Sequence, residues 1–455
     1  MNGRSPPFFR FSSPLRIGFL PQIPKRLEKV KGGYAIMKYR RRSIMNLQFC
    51  EAITGKQLDE FTRASRCNNI YQTEAWAHVK KEWTSKFVGM TRDGQLCGAA
   101  MILFRKLPMG MKLAYIPRGP IMDYEDSEQV EFFLSAIRRF CAKQGAVECK
   151  FDPYLIIGSF ELDQKEAAWN VRSPIPEQLA KANAHFAGYT KLISETVQPR
   201  YQLCFPRQEN WEALFPKKTR EKIHNSFAKG IQIEVWGIEH VHELAEMIKY
   251  TEQRKNIHLR NEDYFRTIME NFGDQACILA AHLDCDHALA LVEEKQEGFR
   301  QHLNELDEKA NKKRKQLEKQ IADLDEEKAR LHQQAQEDGR DILVSALLLV
   351  HDGTTCELLY SGLNEKYRRY LAAYALRCRG IQWAFEQGCT RFNFGGVEGT
   401  LDDGLFIFKS SFSPKIDVYI GEFSLPCKPV LYPIWTQLLP KVKELRRQWL
   451  RRESH

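Results

Sequence analysis

The stretch from Phe392 to Phe412, FNFGGVEGTLDDGLFIFKSSF, joins three features that can do chemistry. A strand-like alternation of Phe392 and Phe394 runs into Gly395-Gly396, an acidic turn follows, and Lys409 closes the apolar run LFIF. Paired glycines let a ligand approach the backbone. A lysine at the end of an apolar run is a partly desolvated cation, which acts far more strongly on a developing oxyanion than it would in water. Three further segments combine strand ends or turns with Arg and Tyr: YIPRGPIMD with Tyr115, Arg118 and Asp123, HLRNEDYF with Arg260 and Tyr264, and LLYSGLN with Tyr360. Arg260 and Tyr264 stand one helical turn apart and so share a face. Sites of this composition bind anions, the small residues exposing N–H groups and the cations supplying charge. Taken singly, each also fits a structural role: Arg118 tying a turn, Tyr360 filling a core.

Other chemistries lack their signatures. No Ser-His-Asp order, HExxH, P-loop, or GxGxxG after a strand is present. The twelve cysteines form no CxxC and no zinc spacing, as in a reduced cytosolic protein, so neither a metal nor a cofactor is expected.

The elements that must position these residues alternate from Met45 onward. LQFCEAI reads as a strand, and YQTEAWAHVKKEW as a helix with Thr73 as N-cap and Trp76, Val79 and Trp83 on one face. Strands flank Arg92-Asp93-Gly94 as a hairpin, and SEQVEFFLSAIRRFCAKQG is a strong amphipathic helix before the strand AVECKFDP. The same logic repeats from QPRYQLCF through the basic helix KKTREKIHNSFAKG to RFNFGG. Two α/β units of similar order follow, with strands and helices around mixed sheets.

Residues 288–338 break that pattern. Apolar residues recur every three or four positions at Phe299, Leu303, Leu306 and Ala310, and again at Leu317, Ile321, Leu324, Leu331 and Ala335. The polar NKKRKQ separates the two runs, which predicts an antiparallel coiled-coil arm inserted into the second unit, each limb about 30 Å long. At the C-terminus, 425–455, Trp435, Leu438, Leu439, Val442, Leu445 and Trp449 recur at helical spacing among Lys and Arg. That pattern suits a basic amphipathic helix, either on an anionic membrane surface or packed on the body.

With 455 residues, 43% of them hydrophobic, the chain has material for two to three cores. Its net charge of +10 sits at one end: residues 1–44 carry eleven Lys/Arg and one acid, which leaves 57 residues of each sign in the rest. This extension reads as disordered and is either an upstream-start artefact or a basic arm. The body is neutral, so a polyanion must be gripped by local patches. No run approaches the apolar length that spans a bilayer.

Together these segments resemble the Fem/Mur (FemABX) peptidoglycan cross-bridge aminoacyltransferases. The resemblance rests on YQTEAWAHVKKEW, KLAYIPRGPIMDY, VECKFDP, QPRY, KKTREKI, EQRKNIHLRNEDYF, LLYSGLN and FNFGGVEG…DDGLFIFKSSF, in order, with the coiled-coil insertion between. It covers Met45 to about Phe423. It implies two acetyltransferase (GNAT)-like α/β domains, 45–190 and 191–424, and a seryl-tRNA-synthetase-like arm. It implies transfer of an aminoacyl group, alanine or serine, from aminoacyl-tRNA to the side-chain amine of the third stem-peptide residue. The acceptor would be lipid II, or the soluble nucleotide-linked muropeptide that related enzymes take. A cytoplasmic enzyme peripheral to the inner face of the membrane is implied, with a second transferase of the same family as a further partner.

By motif, the resemblance gives Lys80, Arg260 and Tyr264 to the acceptor's diphosphate and sugar. It gives Tyr115 and Tyr360 to the same site. Lys409, with Phe408 beside it, supports the tetrahedral intermediate over Gly395-Gly396, and Asp123 matches an acid proposed as general base. Two rival readings stand: an acyl-CoA N-acetyltransferase, whose Arg/Gln-x-x-Gly-x-Gly/Ala loop is missing, and a non-catalytic tRNA- or membrane-binding protein on the same fold.

Overall fold

Local sequence starts and stops the elements as capping chemistry requires. In the computed structural model, which describes residues 46–107, 110–255, 260–307 and 309–437, the Thr54 side chain accepts from the Gln57 N–H and opens a helix. Thr73 does the same toward Trp76, Asp126 toward Glu128 and Gln129, and Asn261 toward Tyr264. The expected basic extension (1–44) and most of the expected C-terminal helix (438–455) lie outside the described residues.

Along the chain come β1 (Leu47–Cys50), α1 (Gly55–Ala64), α2 (Glu74–Val79), β2 (Thr84–Arg92), β3 (Gln95–Lys106), β4 (Lys112–Ile116), β5 (Ile121–Met122), α3 (Ser127–Lys143) and β6 (Ala146–Phe151). Then follow β7 (Ile156–Phe160), α4 (Lys165–Asn170), α5 (Ile175–Lys181), β8 (His185–Phe186), β9 (Tyr201–Pro206), α6 (Lys217–Phe227), β10 (Ile231–Trp236), α7 (Val241–Lys255), α8 (Glu262–Phe272) and β11 (Ala276–Asp284). The last set is α9 (Cys285–Glu305), α10 (Asn311–Asp338), β12 (Asp341–His351), β13 (Thr355–Leu363), α11 (Ala372–Glu386), β14 (Arg391–Val397), α12 (Gly404–Ser410), β15 (Lys415–Tyr419) and β16 (Phe423–Pro426).

Two mixed sheets result, in the orders β1-β2-β3-β4-β6-β16-β8, with β5 on β3, and β10-β11-β12-β13-β14-β9-β15-β7. Each holds a parallel pair joined by one crossing helix: β4 and β6 through α3, β13 and β14 through α11. The sheets trade strands. β7, early in the chain, pairs with β15 in the second sheet, and β16 returns to pair with β6 and β8 in the first.

Three large cores, beside a small one of Cys67, Ile121, Tyr154 and Tyr419, follow from this layering among the described residues. One lies under α3 on the first sheet and one under α11 on the second. The third lies between the two halves, where α1, α2, α7 and α8 pack against β3, β11 and β12. Strand β12 is therefore covered on both faces: Leu347 and Leu349 join one core, Ala346 and Leu348 another. That is why it reads as a continuous apolar run, not an alternation.

The arm is α9 and α10. It grows from the end of a hairpin, since Asp284 of β11 pairs with Asp341 of β12. Gln296 Nε2 donates to Asp325 Oδ1 (2.7 Å), and Lys328 meets Glu293 (2.8 Å), pairings that run in opposite directions along the two helices. The arm's base is tied to the segment before α11: Tyr370 Oη donates to Gln334 Oε1, Arg369 meets Glu327, and Tyr367 and Lys366 bond Asp338.

One expected element is shorter than its pattern. The helix read over YQTEAWAHVKKEW ends at Val79, because Lys80 leaves helical geometry (φ −91°, ψ 39°) and β2 begins at Thr84. At the C-terminus residues 431–437 are helical, and Trp435 is buried with its indole N–H on Glu148 Oε2 (3.1 Å), so this turn packs on the body. Among the described residues no helix is long and apolar enough to cross a membrane.

Candidate active site

The turn that ends α2 at Lys80 sends its side chain across to α8. Lys80 Nζ donates to Tyr264 Oη (2.6 Å) and lies 4.7 Å from the Trp76 ring and 4.9 Å from the Tyr264 ring. The Arg260 guanidinium covers the same Tyr264 ring at 4.9 Å. Tyr360, from β13, closes the group by edge contacts with Tyr264 and Phe265 (ring centroids 6.3 and 4.9 Å). Residues about 180 positions apart thus form one aromatic cluster holding two cations. Burial, and then the neighbouring Arg260 charge, pull the Lys80 ammonium down to about 8, against a smaller upward pull from Glu82. Burial also pushes the Tyr264 and Tyr360 phenols up, so both remain hydroxyl donors and acceptors. A group of this kind can hold an anion, which would offset the desolvation of Lys80.

A second group forms on the other face of the second sheet. Strands β13 and β14 pair only at Thr355–Arg391, Cys356–Phe392 and Glu357–Asn393. Beyond Glu357 and Asn393 they part, and a cavity of about 680 Å³ lies between them, walled by α11, α12 and Lys222 of α6. The acidic turn read from the sequence has a local purpose: Asp403 caps α12 by accepting from Leu405 and Phe406. Helix α12 then presents Lys409, whose Nζ donates to the Gly396 carbonyl (2.8 Å) on the cavity wall. Phe408 packs beside it on Tyr374 (centroids 5.2 Å).

The two glycines differ in reason. Gly395 has φ +81°, with only Leu358 O and Lys409 Nζ near the place of a Cβ, both at 3.7 Å. Its N–H donates to Asn393 Oδ1 (2.8 Å), and Asn393 Nδ2 donates to the buried Glu357 carboxylate (2.8 Å). Gly396 has an ordinary φ, but a Cβ there would come within 2.4 Å of the Pro199 ring. Its smallness makes room for Pro199, whereas the sequence suggested room for substrate.

Two expected site residues bond elsewhere through their polar atoms. Tyr115 is buried, with Oη donating to Asp152 (2.7 Å), and Asp152 also accepts from the Arg118 N–H (2.6 Å). Burial, only partly offset by Arg118, raises the Asp152 carboxyl to about 7. Arg118, at φ +50°, stacks on Tyr419 (4.3 Å) and holds the Pro199 carbonyl, so it ties the seam between the halves. Asp123 is exposed and accepts from the Glu125 N–H (2.9 Å), a turn-capping bond. Tyr115 shares the third core with Trp76, Tyr264 and Tyr360, while its hydroxyl is turned to Asp152.

Residue reading missed Trp76 as a partner of Lys80, and the cavity residues Arg377, Tyr374 and Lys222. The signal for Arg377 was present: a charged residue on the buried side of the helix YLAAYALRCRGIQWAFEQG.

Comparison with known proteins agrees in extent and in fold. Residues 53–439 match the model of the FemAB family. A lipid II:glycine glycyltransferase of Staphylococcus aureus strain MRSA252 is 26% identical over 418 residues, covering 87% of this chain and 96% of its own length. The protein of that name from strain USA300 is 26% identical over 427 residues, with the same coverage. A crystal structure of FemX superposes with a TM-score of 0.69 at 23% identity, covering 86% of this chain and 99% of its own. The paired α/β halves of this chain therefore share the fold of that structure. The chain belongs to the FemAB family.

Proposed function

We propose that this protein is an aminoacyltransferase of peptidoglycan precursor synthesis. It moves alanine or serine from aminoacyl-tRNA to the side-chain amine of the third stem-peptide residue of lipid II, in MurM-like fashion, and so starts the interpeptide branch. Family membership and relatives named for lipid II and glycyl transfer support the class of reaction and the acceptor. The donor amino acid, the tRNA carrier and attachment to the inner face of the cytoplasmic membrane are our reading.

The observation that carries it is the position of the two groups on opposite faces of β13. Tyr360 packs in the cationic aromatic cluster, while Leu358 and Ser361 border the cavity of Lys409. An acceptor held by its diphosphate on Lys80 and Arg260 reaches the gap between β13 and β14 from one side, and an aminoacyl ester reaches it from the other. The ester is already activated, so no covalent enzyme intermediate is required; positioning and charge stabilisation remain. The acceptor nitrogen attacks the ester carbon, the C–N bond forms, and Lys409 faces the oxyanion. The C–O bond to the ribose then breaks, and the proton lost by nitrogen ends on the leaving oxygen. Phe408 keeps the Lys409 stem out of water. Asp123 caps a turn in this scheme and takes no proton.

The test is Lys409→Met, with turnover and acceptor affinity measured separately. We expect turnover to fall on the order of 10²-fold or more, with acceptor binding nearly unchanged. A variant of near-normal rate would remove Lys409 from the reaction.

A further inference from the structure

The bulge that carries Gly395 is held by side chains that the transfer scheme leaves unused. Between the pairs Asn393–Cys204 and Gly396–Gln202, β14 has one residue more than β9. Such a bulge takes a residue out of the ladder and re-aims the groups that follow it. Here Gly395 takes φ +81°, and the carbonyl of the next residue, Gly396, accepts from Lys409 Nζ (2.8 Å). A glycine has no side chain to limit its backbone. The place of the Gly396 carbonyl therefore depends on what fixes Gly395.

Asn393 fixes it, and the orientation of Asn393 is imposed in turn. Asn393 Oδ1 accepts from the Gly395 N–H (2.8 Å). Its Nδ2 donates to Glu357 Oε2 (2.8 Å) and to Gln202 Oε1. An ionised carboxylate only accepts. Glu357 thus takes the amide nitrogen and turns the amide oxygen toward Gly395; the flipped amide would set acceptor against acceptor at Glu357 and donor against donor at Gly395. All three side chains are buried, and Asn393 faces Glu357 in the last pair before β13 and β14 part. Burial, with Asp352 adding to it, raises the Glu357 carboxyl to about 7, against the Asn393 bond and the charges of Arg118 and Arg391. It is therefore ionised at pH 8, and held so at a cost. For packing alone, an apolar side chain of similar size would serve as well or better.

We propose that Glu357 and Asn393 are positioning residues for the transfer: the carboxylate orients the amide, the amide fixes Gly395, and Gly395 sets the carbonyl that holds the Lys409 ammonium where β13 and β14 part. Neither touches the reacting atoms. This rests on the role given to Lys409 above.

Transfer kinetics of the full chain at pH 8, with denaturant unfolding alongside, test this. Asn393→Asp keeps the shape and an acceptor for Gly395 but sets a carboxylate against Glu357 and Gln202. We expect kcat to fall about tenfold or more, with the acceptor KM within about twofold of wild type. Adding Glu357→Gln restores a donor between the two positions, and the double variant should recover most of kcat. Glu357→Leu removes a costly buried charge and should fold at least as well as wild type, so it carries the test if Asn393→Asp fails to fold; it should lower kcat about fivefold. In the Lys409→Met background either change should have little further effect, because both act through that lysine. An unchanged kcat in folded Asn393→Asp or Glu357→Leu, a loss confined to KM, or a loss that multiplies with that of Lys409→Met overturns the relay and leaves the transfer reading intact. A near-normal rate in Lys409→Met itself would instead overturn the role of that lysine, and the relay with it.

Discussion

Lys80 is a site where function and stability pull apart, and the size of the conflict follows from its surroundings. Its pKa falls from 10.5 to about 8, chiefly through burial against Trp76 and Tyr264 and then through Arg260. At 1.36 kcal/mol per pKa unit, holding it charged at pH 7 costs the folded state about 3 kcal/mol. Lys80→Met removes that cost and also loses the bond to Tyr264 and the ring contacts, together worth about 2 kcal/mol. The variant should be more stable than wild type by about 1 kcal/mol at pH 7. The sign with pH is fixed by linkage. Between pH 8 and 10.5 the unfolded chain binds the proton that the folded chain has released, so wild-type stability gains as pH rises through this window. Near pH 10.5 the cost has gone, only the lost contacts count, and the variant should be the less stable. Urea unfolding of both proteins at pH 7 and pH 10.5 reads this directly, since other titrating groups are common to both. A variant destabilised equally at both pH values would refute the assignment of Lys80 as a strained cation awaiting an anion.

The other outcomes are simpler. Tyr264→Phe leaves Lys80 without its 2.6 Å acceptor and should weaken acceptor binding about five- to tenfold with little change in kcat, read by a KM-against-kcat comparison. Gly396→Ala places a Cβ 2.4 Å from the Pro199 ring and should cost about 1–3 kcal/mol in denaturant unfolding. Pairing it with Pro199→Ala should recover part of the loss. Trp435→Ala empties a buried site and leaves Glu148 short of a donor, so a loss of about 3–5 kcal/mol is expected in the same assay.

Much of this was legible in the residues, because local chemistry decided it. Thr73 and Asn261 cap the helices on which Lys80 and Tyr264 depend, and the 3-4 spacing through Leu317, Ile321, Leu324 and Leu331 gave the arm before its helices were seen. What stayed hidden depends on contacts distant in sequence. Nothing near β7 says that it pairs with β15, more than 250 residues on. Gly396 looks like a floor for substrate until Pro199, about 200 residues earlier, is found against it. The motif segments supplied Tyr115 and Asp123 as readily as Lys80, yet only packing separates a phenol bonded to Asp152 from one that meets Lys80. Arg377 went unread for the opposite reason: its helix is so apolar that it reads as core, and the cavity it lines forms only in the fold.

The most direct measurement mixes the purified full-length protein with lipid II and with tRNA charged separately with alanine, serine and glycine, and follows the mass of the acceptor. The account predicts a one-residue increment on lipid II with alanyl- or seryl-tRNA, abolished by Lys409→Met. An unchanged acceptor mass with every donor, on lipid II and on the nucleotide-linked muropeptide alike, would contradict it and leave a binding protein on a transferase fold.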